Sequence, residues 1–122
     1  MDKIKVKEVY LRNKLQELLL DMKLLNGMKV DRDVKRINNG EDLKEIFVNN
    51  NELDELGLKL ETKKTEMNIL IGCLINGFDF LDNILNHFSS IMDEEEFKMT
   101  EEFINRIKVG MEQFVEESED VN

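Results

Sequence analysis

The sequence predicts an all-α helical bundle, and three observations carry that prediction. Apolar residues recur at helical intervals, the chain has no proline, and glycine occupies only six of its 122 positions. Proline inside a helix removes a backbone donor and clashes with the preceding turn, so its absence lets long helices run unbroken. An all-β chain of this size needs denser turn chemistry. The length suffices for one domain, expected over 1–118 with a disordered acidic tail at 119–122, and for a core that needs neither disulfide nor metal. With 41% apolar and 36% charged residues the composition is that of a globular chain with a heavily charged surface.

The first element follows from Ile4, Leu11, Leu18 and Leu25, spaced seven apart, with Leu15 and Met22 between them. This spacing predicts a long helix near 3–25, and Asn26-Gly27 supplies a left-handed stop. A short helix then carries Val30, Val34 and Ile37 on one face and ends at Asn38-Asn39-Gly40. Leu43, Ile46, Phe47, Leu53 and Leu56 line one side of a further helix with a weak point at Asn49–Asn51. Gly57 either ends it or is passed over by a helix that continues to about Glu61.

A second long helix is expected near 63–91, capped by Thr62 or Thr65. Its basis is a 4-3 heptad seam through Met67, Ile71, Leu74, Phe78, Leu81, Leu85, Phe88 and Met92. Leu70, Ile84 and Ile91 widen the stripe beyond a two-stranded coiled coil, which points to a bundle. Gly72 and Gly77 fall off this seam. Asp93 with Glu96 has capping-box spacing and Thr100 offers another cap. The last helix then turns Phe97, Ile104, Ile107, Met111 and Phe114 inward.

Charge is strongly polarised. Of 17 basic and 27 acidic residues, the first forty positions hold 10 and 6, a net of +4, and the remainder a net of −14. Overall the chain stands at −10, which disfavours direct binding to nucleic acid or anionic lipid. Lys3, Lys5, Lys7, Arg12, Lys14 and the Arg32/Lys35/Arg36 cluster make the first third positive, and the same polarity predicts that the acidic carboxy-terminal helix packs against the first helix, within the chain or across a dimer. The opening residues lack the apolar run of a secretory signal, and no run reaches the roughly 20 residues of a membrane helix. Cys73 is the only cysteine and sits among apolar neighbours, so it reads as a buried thiol in the cytoplasm.

Few groups offer chemistry. His87 is the sole histidine and stands beside the seam in a solvated or capping place. With one histidine and one cysteine no zinc set can form, and no glycine follows a strand as a phosphate loop would require. No catalytic, cofactor or metal residue is therefore assigned.

Glu52-Leu53-Asp54-Glu55 and Asp79-Phe80-Leu81-Asp82 resemble the ExxE and ExxD helices of the all-α nucleoside triphosphate pyrophosphatases, the family of MazG and the dimeric dUTPases. That resemblance implies four acids on two antiparallel helices holding Mg²⁺ against the substrate phosphates. The seam sends Asp79 outward and Asp82 to its edge, which is the disposition of a solvated acidic face. A further alternative is an acidic inhibitor that mimics nucleic acid and blocks a basic protein surface.

The expected function is a non-enzymatic protein–protein interaction module: an adaptor, small chaperone or regulator, similar in class to the helical export chaperones of flagellar systems. Its basis is apolar excess. Within Ile69-Leu70-Ile71-Gly72-Cys73-Leu74-Ile75 nearly every direction is hydrophobic, and a helix apolar all round is normally buried all round. The expected interface comprises Leu70, Cys73, Ile75 and Phe80, with Leu20 and Leu24 widening the first helix, and the expected partner is a second copy of the chain or another protein.

Overall fold

The computed structural model describes residues 2–46 and 55–120, which are helical apart from short connections, with no strand among them. Helix α1 spans Lys3–Asn38, α2 Glu55–Asn76, α3 Asp79–Phe88 and α4 Glu94–Asp120, and residues 43–46 form a further helical stretch. Phe47, Asn49–Asn51, Glu52, Leu53 and Asp54 lie outside the described residues.

Asn26-Gly27 does not stop the helix as expected, whereas Asn38-Asn39-Gly40 does. Gly27 keeps a helical φ and α1 runs through it, so the expected stop and separate short helix become one element. A glycine costs about 1 kcal/mol relative to alanine inside a helix. The apolar row that resumes at Met28, with no proline behind it, lets the helix continue. The true end is Gly40, at φ 81, where Gly40 N–H donates to Ile37 C=O and Glu41 N–H to Arg36 C=O. These two bonds form a Schellman closure.

The expected single helix over 63–91 is divided at Gly77, whose φ of 98 is left-handed. Its N–H closes α2 onto Cys73 C=O at 2.9 Å, and α3 starts two residues later. The break lets Phe80 fold back over Gly72, where a Cβ would lie 2.6 Å from Phe80 Cζ. α2 also begins earlier than expected, at Glu55, passing through Gly57. Thr62 and Thr65 are interior to it and donate to the carbonyls of Leu58 and Glu61 rather than capping.

Other termini follow the sequence closely. Asp2 Oδ1 accepts from Ile4 N–H at the start of α1, and Asp93 Oδ1 accepts from Glu96 N–H at 2.7 Å at the start of α4. Thr100 is a buried residue within α4. α4 continues to Asp120, into the tail expected to be disordered.

The chain divides into two compact units. One comprises the described residues of Met1–Gln16 and Glu66–Asn122, the other those of Glu17–Thr65. In the first, α4 supplies Phe103, Ile104, Ile107, Met111 and Val115 to a core that also holds Val6, Leu11, Ile69, Leu70, Cys73, Leu81 and Ile84. α1 and α4 run antiparallel there: Lys3 pairs with Glu119 and Lys7 with Glu112, each at 3.5 Å, and Tyr10 meets Phe114 with ring centroids 5.6 Å apart. This is the pairing that the charge polarity predicts. Those ion pairs are exposed and worth about 0–1 kcal/mol each, whereas each buried Leu, Ile or Phe contributes about 1.5–3. Apolar packing therefore holds α4, and charge selects its neighbour.

Candidate interaction surface

Among its described residues the second unit has few buried apolar side chains. Of the 14 buried apolar residues among those described, only Leu18 and Ile46 belong to 17–65, yet that segment holds nine of the 16 exposed large apolar residues. The imbalance arises within α1. Leu18, Met22 and Leu25, at helical offsets of three and four, form its covered side, with Leu18 buried and the other two half-buried. A second apolar set emerges away from it: Leu20 and Leu24 are 66% and 67% exposed, Val30 and Val34 are exposed, and Met28 and Ile37 are exposed toward the two edges. Leu43 and Leu58, expected inward or unassigned, are exposed in the same unit.

The six residues expected to form the interface fall in both units and differ in exposure. Leu20 and Leu24 stand in the open row on α1. Leu70 and Cys73 have almost no exposure, so they belong to the chain's own core and are removed from the candidate surface. Ile75 is 75% exposed on the last turn of α2, and Phe80 is half-buried over Gly72. Met28, Val30 and Val34 were hidden because reading Gly27 as a stop assigned them to a separate helix.

The titratable groups are mostly paired or open to solvent. Burial pushes the Cys73 thiol up to about 11, so at neutral pH it is a protonated apolar group. Asp82 pairs with Lys108, Glu55 with Lys59 at 3.5 Å, and Asp79 is exposed. Glu52 and Asp54 lie outside the described residues. Among those described, no group of three or more His, Cys, Asp or Glu is placed to hold a metal ion. His87 is exposed in the last turn of α3, where it faces the helix carbonyl end. No described helix is long and apolar enough to cross a membrane. The chain matches no protein-family model, no curated protein and no solved structure.

Proposed function

We propose that this chain is a non-enzymatic helical interaction module that self-associates through the open apolar side of α1 over 17–38. The observation that supports this reading is the exposed Leu20–Leu24–Met28–Val30–Val34 set in a unit whose described residues bury only the apolar side chains of Leu18 and Ile46. Surface leucines scattered singly need no explanation, but here two apolar strips, Leu20–Leu24–Met28 and Val30–Val34–Ile37, flank Gly27 on one helix, and apolar exposure on that scale marks a contact site. The unpaired Cys73 favours a reducing compartment, the cytoplasm, as its place of action.

The double substitution Leu20→Asp with Leu24→Asp tests this. Both positions face solvent in the isolated chain, so far-ultraviolet circular dichroism should retain nearly all of the helical signal. At the interface each copy would bury two unpaired carboxylates, and self-affinity should fall by at least about 100-fold. Unchanged self-affinity in the double variant would place the contact elsewhere.

A further inference from the structure

The open side of α1 has an internal symmetry centred on Gly27. Leu20 and Val34 lie seven residues before and after it, Leu24 and Val30 three, and Lys23 and Asp31 four. Offsets of three, four and seven keep residues on one helix side, and all six of these residues are exposed. Gly27 is exposed as well, with nothing within 4 Å of where its Cβ would stand.

Resting on the self-association reading, we infer that two copies of the chain pair their α1 helices antiparallel, crossing at Gly27. In an antiparallel pair centred on one residue, the position n before the centre shares a layer with the position n after it on the other copy. Leu20 then meets the layer of Val34 and Leu24 that of Val30, each twice by symmetry. The Lys23 and Asp31 layer brings opposite charges together, also twice. The centre itself is the one position on this side without a side chain, which lets the two backbones approach closely. Charge is what commits the site to a second copy in this register: a parallel pair in register would instead set Lys23 against Lys23 and Asp31 against Asp31. Leu20 to Val34 spans about 21 Å of helix at 1.5 Å per residue.

The same eight-residue separation makes the test clean. Lys23 and Asp31 are about 12 Å apart along one helix, too far to pair within a chain, so any rescue between them arises between copies. Dimer dissociation constants should be measured by sedimentation equilibrium for Lys23→Asp, Asp31→Lys and their combination. Each single variant should weaken the dimer about tenfold, and the combination should return it to within about threefold of the parent. Gly27→Gln should weaken the dimer at least tenfold through bulk at the crossing, while raising monomer helicity because glutamine is the better helix former. A dimer indifferent to Gly27→Gln and not rescued by the charge exchange would overturn this crossing and leave self-association standing. A parent chain that is monomeric would overturn both.

Discussion

Replacing Leu70 with alanine should lower the unfolding free energy by about 2–5 kcal/mol, the range for truncating a leucine in a closed core. Leu70 is fully buried in the unit built around α4, with Ile69 and Cys73 buried beside it on α2. Leu20→Ala is the matched control. The same atoms are removed from a side chain that is 66% exposed, so the dissociated monomer should change by no more than about 0.5 kcal/mol. Urea unfolding at low protein concentration measures both. Equal losses would mean that Leu20 is covered within the chain and that the open row on α1 does not exist.

A single methyl group at position 110 should also have a large effect, of opposite sign to that at position 27. A Cβ on Gly110 would lie 2.7 Å from Tyr10 Cζ and closer still to its hydroxyl oxygen, because α1 and α4 pack face to face there. Overpacking of this kind costs about 1–3 kcal/mol. Alanine recovers up to about 1 kcal/mol of helix propensity, so Gly110→Ala should destabilise by up to about 3 kcal/mol, less where the Tyr10 ring can move aside. Gly27→Ala meets nothing and should stabilise the monomer by up to about 1 kcal/mol. A double-mutant cycle isolates the cause: in a Tyr10→Ala background the methyl group has room and Gly110→Ala should become neutral or favourable. The same cost in both backgrounds would show that Tyr10 does not sit over Gly110.

The parts of the fold that were legible in the sequence are those where a local signal had no competitor. Asp93 with Glu96 marked the start of α4, and Ile104, Ile107 and Met111 marked its inner side, because polar residues surround them and fix the phase. Charge polarity identified the α1–α4 pair for a similar reason, since the basic and acidic ends of the chain have few other complements. The phase of α2 was not legible. Its 69–75 stretch is apolar all round, so the 4-3 seam through Met67, Ile71 and Leu74 fitted as well as the row that is buried, Ile69, Leu70 and Cys73.

Of the three Asn-Gly pairs, Asn26-Gly27 and Asn76-Gly77 were misread for a related reason, while Asn39-Gly40 ends α1 as expected. Asn-Gly permits a left-handed turn without requiring one, and the choice is made by what each continuation buries. After Gly77 a bend lets Leu81 and Ile84 reach the core and places Phe80 on Gly72. After Gly27 the helix continues with Met28, Val30 and Val34 exposed, so local burial gives no sign in the sequence that the turn is passed over. The unread part of the candidate surface is therefore the part for which the described residues provide no cover.

Sedimentation equilibrium of the unmodified protein across nanomolar to high micromolar concentration tests the central claim most directly. A self-associating module should show a mass rising with concentration from 14.4 kDa toward twice that value. A mass that stays at 14.4 kDa throughout would contradict the account and leave the apolar side of α1 without a second copy to cover it.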